Sequence, residues 1–367
     1  MKHANLRAHI RHLCCMGLPA ETLMPRLLPL VRDLVPADSA GFFWVDAAGH
    51  MQNLIAERML SAPKMRLYFE HFYSGGKYDF RDNFLSRAGG GTSVAISESD
   101  AAFRQSAYYN EILQELDAHH VLYGIVRDHG TALGQLSLYR SKRDAGFSAH
   151  DRDALASIMH YVTHAVAAPA LTGDAASAKA SEFIDSADDD VILVDAEGTI
   201  LQASDSGKRL AVQAAGGTFS RDFVGTDSAE VRSILARVVA QIKRGSGTPS
   251  APQLALSTHW GRILLRAYQL GDDNADAIGE NSAYAIRIAR QEPMILKFAR
   301  ALQTLDLPPQ QHEVAMLLAR GLSNLDIAAQ MNVSVNTVAY HIKQLFAGLE
   351  AHGRAELIER VIENAKE

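Results

Sequence analysis

The chain has 367 residues, enough for two or three domains, and its 47% hydrophobic and 21% charged residues are ordinary for a soluble protein. Its formal net charge is −6, and no segment forms a basic arm. Both features argue against nonspecific coating of nucleic acid or of an anionic membrane surface. The sequence shows no secretory signal and no apolar run of membrane-spanning length, and the adjacent Cys14 and Cys15 indicate a reducing compartment. We therefore expect a cytoplasmic protein with no membrane partner.

The first 170 residues alternate helical patterns with two predicted hairpins. Two helices precede an aromatic-rich strand over 39–46 and its returning strand. A second hairpin lies within 121–140, and the pattern Ser-Ala-His-Asp at 148–151 caps the long helix that follows. Helices that flank an antiparallel sheet of hairpins resemble a GAF-type sensory domain, which this resemblance places at residues 1–170. The segments FRQSAYYNEIL, HHVLYGIV and LGQLSLYR are also similar to the input domain of LuxR-type regulators.

Aromatic side chains are concentrated in this first segment, and they permit two interpretations. Each of them is more often ordinary core than a ligand contact. A cluster of them can also line a pocket for an apolar or aromatic small molecule, with tyrosine hydroxyls to orient it. We expect a candidate ligand pocket to involve Phe42, Trp44, Tyr68, Phe72, Tyr108 and Tyr123. The Trp, Tyr and Asp set of acyl-homoserine-lactone sensors is not recognisable here, so that ligand is not predicted.

Residues 171–182 are small, polar and unpatterned, which predicts an interdomain linker. The hairpin, helices and three antiparallel strands predicted after it resemble a PAS-like sensory domain over residues 183–292. Its turn Val-Asp-Ala-Glu-Gly (194–198) echoes Val-Asp-Ala-Ala-Gly (45–49). The echo indicates two related sensor folds in tandem or the same turn chemistry alone, since Asp opens such turns and Gly takes positive φ. Residues 293–306 then predict a connecting helix.

The last stretch, residues 307–367, predicts four short helices. Gly321 is placed to end the first helix as a left-handed cap, and Ser323 and Ser334 are good N-caps for the second and third. A tight turn at 332–334 separates these two helices. Two short helices, a tight turn and a third helix with a polar outer face form a helix-turn-helix pattern, whose second helix lies in the major groove of DNA.

This stretch resembles the DNA-binding domain of LuxR-type (NarL/FixJ-like) transcriptional regulators, with matching spacing and no insertion. The matching residues are Leu307, Val314, Leu318, the run 321–324, Ile327, Ala328, Val333, Ser334, Thr337, Val338, His341, Leu349 and the run 354–357. The resemblance implies DNA contacts by Ser323, Asn324, Ser334, Asn336, Thr337, Ala339, Tyr340 and Lys343. Within this set, Asn336 and Thr337 would contact phosphates, and Tyr340 and Lys343 would contact bases. The resemblance also implies a dimer interface at Leu357 and Val361.

Several positions depart from the family pattern, and most of them lose positive charge. The family commonly has lysines where Leu325 and Ala339 stand, and basic residues where Ala347 and Gly348 stand. Residues 305–367 hold five basic and eight acidic side chains, a formal charge of −3. Because phosphate neutralisation supplies much of the affinity for DNA, we expect weak, dimer-dependent and salt-sensitive binding.

Motifs for other chemistries are incomplete. Residues 89–92 lack the lysine of a phosphate-binding loop, and the acidic run 188–190 precedes a strand, the wrong order for a phosphoacceptor domain. His160 and His164 have the i, i+4 spacing of metal ligands on a helix, but no third ligand follows at useful spacing. We therefore predict no catalytic residue, no cofactor and no metal. An enzyme built on the first domain would need a polar cluster that the sequence does not show.

Together these patterns predict an α+β protein, with one or two antiparallel-sheet sensory domains followed by an all-α four-helix domain at 307–367. The predicted function is a ligand-responsive transcriptional regulator, in which an unknown small-molecule effector controls the binding of a homodimer to a double-stranded DNA operator. RNA polymerase is a further candidate partner. The alternative is a sensor or adaptor protein whose degenerate helix-turn-helix binds proteins instead of DNA. The missing basic residues at Leu325, Ala339 and Ala347 motivate it.

Overall fold

The computed structural model describes residues 2–58, 60–72, 84, 89, 94–97, 104–167, 183–216, 225–244, 253–258, 260–270 and 283–364. The contacts of the chain divide it into two compact units. A helical unit holds α1 (Lys2–Cys14) and the helices that follow Glu292, and a sheet unit holds two antiparallel sheets with their helices. The predicted linker at 171–182 and the polar loop predicted at 271–280 lie outside the described residues.

The first sheet is antiparallel, with the strand order β2-β1-β5-β4-β3. Its helices are α2 (Ala20–Leu34), α3 (Ala62–His71) and α4 (Ala149–Ala167), with a π-helical turn at Tyr109–Leu113. Both predicted hairpins are present, and the backbone N–H of Ser148 donates to the Asp151 carboxylate at 2.8 Å in the predicted cap of α4. The strands are β1 (Ser39–Val45), β2 (Met51–Ala56), β3 (Val94–Ser97), β4 (His120–Asp128) and β5 (Thr131–Arg140).

The second sheet repeats this topology. Its strand order is β7-β6-β10-β9-β8, so both sheets follow the order 2-1-5-4-3 when their strands are counted from the first. The strands are β6 (Phe183–Val194), β7 (Ile200–Gln202), β8 (Gln253–Thr258), β9 (Gly261–Gln269) and β10 (Tyr284–Pro293), and the helices are α5 (Asp205–Ala214) and α6 (Ala229–Arg244). The acidic run at 188–190 lies inside β6 and not before it as predicted, and Asp189 pairs there with Arg287 of β10 at 2.7 Å.

The turns that follow the first strand of each sheet are built alike. Oδ1 of Asp46 accepts two backbone N–H groups of its turn, each at 2.9 Å, and Oδ1 of Asp195 accepts two at 3.0 and 2.8 Å. The glycine of each turn has positive φ, 84° at Gly49 and 81° at Gly198. The same turn chemistry thus occurs at the same place in two sheets of the same strand order, which favours the hypothesis of two related folds in tandem.

The helical unit surrounds one central helix. After the connecting helix α7 (Met294–Thr304) come α8 (Pro309–Ala319), α9 (Asn324–Met331), α10 (Val335–Gly348) and α11 (Arg354–Asn364). Helix α7 packs on α1, α8 and α11, while α8 packs on α9, α10 and α11. Residues 314–318 of α8 are all buried. Five consecutive residues point in all directions around a helix, so α8 is covered on more than one side.

The predicted fold class is confirmed, because the chain is α+β, with two antiparallel sheets and an all-helical C-terminal region. The sequence placed the first helix in a sensory domain at residues 1–170, and its contacts in the structure lie in the helical unit. The predicted domain bounds remain a proposal. In the described part of the chain, no helix combines the length and the apolar character that crossing a bilayer requires.

Candidate nucleic-acid interface

A capping box fixes the start of α9. The backbone N–H of Asp326 donates to the Ser323 hydroxyl oxygen at 3.2 Å, and the N–H of Ser323 donates back to the Asp326 carboxylate at 3.2 Å. The Ser323 hydroxyl also donates to that carboxylate, at 2.6 Å. These hydrogen bonds lower the pKa of Asp326 from its ordinary value. The predicted cap is confirmed, and Asn324 follows it as the exposed first residue of the helix.

The turn between α9 and α10 places the two helices of the motif. Asn332 ends α9 in the left-handed conformation, with a φ of 53°, which asparagine adopts more readily than most residues. Ser334 then caps α10, since its hydroxyl oxygen accepts the backbone N–H of Thr337 at 3.1 Å and lies 2.8 Å from the Thr337 hydroxyl. The predicted turn and cap are confirmed. Gly321, with a φ of 95°, is the left-handed residue predicted after α8.

Helix α10 has one inner and one outer face. Val338 and Leu345 are buried on the inner face, and Ile342 is half-buried there. The outer face is exposed along its length and carries Val335, Asn336, Ala339, Tyr340, Lys343, Gln344 and Ala347. Four of the predicted DNA contacts, Asn336, Ala339, Tyr340 and Lys343, therefore share one solvent-exposed surface. The fifth on this helix, Thr337, is half-buried beside its cap.

Positive charge is sparse on this surface. Lys343 is the single Lys or Arg in the sequences of α9 and α10. Arg320, at the end of α8, lies close enough to α1 to lower the pKa of His12. Leu325 and Tyr340 are 68% and 59% exposed. The surface predicted to contact DNA is thus more apolar than basic.

The predicted dimer residues lie inside the helical unit. Leu357 and Val361 of α11 are each 0% exposed. Helix α11 packs on α7 and α8, so both side chains belong to the core in this arrangement. The dimer interface at Leu357 and Val361 remains a prediction.

Four of the six predicted pocket residues lie together in the sheet unit. Tyr68, Phe72, Tyr108 and Tyr123 share a cluster with Phe43 of β1. The ring centroids of Phe72 and Tyr108 are 5.5 Å apart, and those of Tyr68 and Tyr108 are 6.5 Å apart. The structure thus brings these four rings to one side of the first sheet.

The other two, Phe42 and Trp44, lie on the opposite side of β1. Successive side chains of a strand point to opposite faces, and Phe43 faces the aromatic cluster. The ring centroids of Phe42 and Trp44 are 4.6 Å apart, and those of Trp44 and Trp260 are 6.0 Å apart. Aromatic content alone does not reveal this separation, because it depends on which face of the strand meets α3.

Two polar residues on the cluster side were not singled out from the sequence. Gln135 of β5 lies directly opposite Phe43, so the two side chains share a face. The amide of Gln135 donates to the Ser137 hydroxyl at 2.8 Å, and both residues are buried. They add hydrogen-bonding groups to an otherwise apolar surface.

A histidine cluster in the helical unit was also missed. The ring centroids of His9 and His12 of α1 lie 6.2 and 6.3 Å from that of His312 of α8. His9 and His12 are buried, and burial lowers the pKa of each to about 3. No set of three His, Cys, Asp or Glu residues within the described ranges is arranged to hold a metal ion. The sequence feature that could have revealed the cluster is the pair Ile10 and Leu13, whose helical spacing indicates that this side of α1 is buried against another element.

Comparison with known proteins identifies the C-terminal helices. The model of the GerE family, described as bacterial regulatory proteins of the luxR family, matches residues 306–361. Residues 306–361 are a LuxR-family helix-turn-helix domain. The LuxR-family domain thus comprises α8 to α11 and includes both capped helices of the motif.

Two curated relatives match within the same domain. The tetrathionate response regulatory protein TtrR of Salmonella typhimurium is 41% identical over 54 residues, which are 15% of this chain and 26% of that protein. The probable transcriptional regulator ycf29 of Cyanophora paradoxa is 33% identical over 60 residues, which are 16% of this chain and 29% of that protein. The match therefore spans less than a third of either relative.

A solved structure also aligns with a larger part of the chain. The Escherichia coli DhaR(N)–DhaL complex aligns over 79% of this chain and 90% of its own chain, with 10% identity and a TM-score of 0.24.

Proposed function

We propose that this protein is a DNA-binding transcriptional regulator of the LuxR type, active as a cytoplasmic homodimer and controlled by a small-molecule effector. The LuxR-family helix-turn-helix domain at 306–361 carries the proposal. The matching relatives are named as a response regulatory protein and a probable transcriptional regulator, which supports the same role here. The outer face of α10 is open to solvent, as entry into a major groove requires.

In the proposed complex, α10 lies in the major groove and α9 crosses the DNA backbone. Asn336 and Thr337, in the first turn of α10, contact phosphates, and Tyr340 and Lys343 contact base edges. Ser323 and Asn324 lie at the start of α9, and Ser334 at the start of α10, where backbone N–H groups favour phosphate. Two copies of the domain in a homodimer double these contacts, which compensates for the low positive charge of one copy.

The proposed effector site is the aromatic cluster of the first sheet. Tyr68, Phe72, Tyr108 and Tyr123 supply apolar surface, and the buried Gln135 and Ser137 supply hydrogen bonds. This combination suits a small, largely apolar or aromatic molecule with a polar atom. The other two predicted pocket residues, Phe42 and Trp44, lie on the opposite face of β1 and would not contact the effector.

Effector binding would act by shifting the population between two arrangements of the chain. We propose that the element affected is α7, which packs on α11, the helix that holds Leu357 and Val361. In one arrangement these two residues are core, and in the other they pair with a second chain. RNA polymerase remains a candidate partner of the DNA-bound form.

A sensor or adaptor protein is the second candidate function. The exposed Leu325 and Tyr340, together with Lys343 as the single cation of the helix pair, favour it. In that case the outer face of α10 would bind a protein with an apolar surface.

Selection of binding sites from a random duplex library tests the two candidates. The full chain is used at low and moderate salt, with and without a small-molecule extract of its host cells. Fluorescence anisotropy then compares the enriched sequence with a scrambled duplex. We expect an enriched site of twofold symmetry, with half-sites about one helical turn apart and with binding that weakens as salt rises. If a folded, dimeric sample enriches no sequence under any of these conditions, the regulator proposal is wrong.

A further inference from the structure

The outer face of α10 begins with apolar side chains. Val335 is the first residue of the helix, Ala339 lies one turn later, and Lys343 lies one turn after that. Val335 is 40% exposed, and Tyr340 beside this row is 59% exposed. The first two turns of the helix therefore present methyl groups and an aromatic ring to solvent, and a cation follows only on the third.

These apolar side chains are not part of the domain core. Val338 and Leu345, on the inner face, pack on the neighbouring helices, and the Ser334 cap fixes the first turn. The row formed by Val335, Ala339 and Lys343 therefore keeps one direction, away from α8. These side chains lie on the helix that a helix-turn-helix domain places in the major groove.

The major groove of DNA offers one chemical complement to methyl groups. Thymine carries a C5-methyl group there, and apolar side chains such as alanine contact it. Guanine presents the O6 and N7 acceptors, which lysine recognises. The N-terminal residues of a recognition helix are those that reach the base edges, so Val335 and Ala339 stand where base contacts are made.

We propose that this domain selects its operator through the C5-methyl groups of thymines, which pack against Val335 and Ala339. Tyr340 extends that apolar contact, and Lys343 contacts a guanine or a phosphate next to the thymines. The inference rests on the proposed DNA-binding function and adds the chemistry of its substrate, a half-site rich in A·T pairs. Apolar contact in the groove would supply affinity that the few cations of this surface do not.

Replacement of thymine by uracil tests the inference, because it removes the methyl group and keeps base pairing. The enriched duplex is synthesised with uracil at each half-site thymine in turn, and anisotropy titrations with the full chain give the affinities. At the contacted thymines we expect the affinity to fall about four-fold per methyl group, the effect of burying one such group. Val335→Gly and Ala339→Gly remove the methyl groups at these two positions, so each should abolish the difference between thymine and uracil at the thymine that it contacts. Leu201→Ala is the control, because Leu201 is an exposed apolar residue on β7 of the sheet unit, and this variant should preserve the difference.

The outcomes separate the inference from the proposed function. If uracil duplexes bind the wild-type chain more weakly than thymine duplexes, and this difference disappears in Val335→Gly or Ala339→Gly, the thymine contact is supported. Equal binding of thymine and uracil duplexes at every position, with specific binding retained, overturns the inference and leaves the regulator proposal standing. A selection that enriches no sequence overturns both. Circular dichroism confirms that the three variants fold, as expected for exposed positions.

Discussion

Nη2 of Arg11 lies 2.7 Å from Oε1 of Glu313, and this ion pair joins the first helix of the chain to the first helix of the LuxR-family domain. The two residues are 302 positions apart in the sequence. Both side chains are partly exposed, so the pair contributes only about 0–1 kcal/mol. The buried Ile10 and Leu13 on the same helix supply the larger, apolar share of the packing. We therefore expect the ion pair to orient α1 on α8 and to add little to the free energy that holds α1 there.

Charge reversal tests this role of the ion pair. We expect Arg11→Glu to loosen α1, because two carboxylates then face each other, and we expect the added change Glu313→Arg to restore the contact. The readout is the reaction rate of the buried Cys14 with 4,4′-dithiodipyridine, in a Cys15→Ser background that leaves one thiol in the chain. Arg7→Glu, at an exposed position of α1, is the control. If the double reversal reacts as fast as Arg11→Glu alone, the pair does not position the helix.

The histidine cluster predicts that docking of α1 weakens in acid. Burial lowers the pKa of His9 and His12 from 6.5 to about 3, and the neighbouring His312, Arg11 and Arg320 add to the effect. Undocked α1 therefore binds more protons than docked α1 between these pH values. The docking free energy is fully present above about pH 6.5 and is lost progressively as the pH falls toward 3.

The same thiol reaction measures this dependence, after normalisation to a small free thiol at each pH. We expect the normalised rate of the wild-type helix to rise as the pH falls below 6.5. Burial also lowers the pKa of His312, so a variant with His9→Leu, His12→Leu and His312→Leu should show a flat profile, whatever its absolute rate. His129→Gln changes a histidine with a 96% exposed side chain in the sheet unit and should leave the profile unchanged. A slope that persists in the triple variant would assign the dependence to other groups.

Two substitutions of Ser334 distinguish its role as a helix cap from its predicted contact with DNA. Ser334→Ala removes the hydrogen bond to the N–H of Thr337, and we expect a local loss of about 1 kcal/mol. Hydrogen exchange of α10 should then be about five-fold faster, which corresponds to that free energy. Ser334→Asp keeps the cap but repels phosphate, so exchange should stay slow while DNA affinity falls. Slow exchange in Ser334→Ala would show that the cap is not limiting.

Leu357 distinguishes core packing from dimer contact. Because its side chain is fully buried in one chain, we expect Leu357→Ala to lower the unfolding free energy of the helical unit by about 2–5 kcal/mol. Urea unfolding at low protein concentration, followed by hydrogen exchange of α11, measures this loss. Glu359→Ala, at an exposed position of the same helix, is the control. A change in the monomer–dimer constant with unaltered stability would instead place Leu357 at the interface between chains.

The positive charge of Lys343 should affect both the affinity for DNA and its dependence on salt. We expect Lys343→Ala to weaken specific binding by about 1–3 kcal/mol. The plot of log affinity against log salt should become shallower by about one unit per bound copy if the lysine neutralises a phosphate. Anisotropy titrations at several salt concentrations measure both quantities. Arg360→Ala, an exposed cation on α11, should leave them unchanged. The base-contact assignment is wrong if Lys343→Ala binds specific DNA as tightly as wild type.

Local chemistry explains what could be predicted from the sequence. The caps at Ser323 and Ser334, the left-handed Gly321 and the hairpin turns at Asp46 and Asp195 all involve hydrogen bonds within four residues. Such interactions depend on the residue types at fixed short spacing, which the sequence displays directly. The helix-turn-helix and the hairpins of the α+β fold followed from these signals, and helical spacing predicted which face of α10 is exposed.

Tertiary packing decided the features that depend on distant parts of the chain. The position of α1 on the LuxR-family domain depends on contacts across some three hundred residues, such as that between His9 and His312. Whether Phe42 belongs to the aromatic cluster depends on which face of β1 meets α3, and the burial of Leu357 depends on where α7 and α8 pack. A hydrophobic pattern shows that a side chain needs a partner, and only the folded chain selects which one, because many apolar surfaces satisfy the same need.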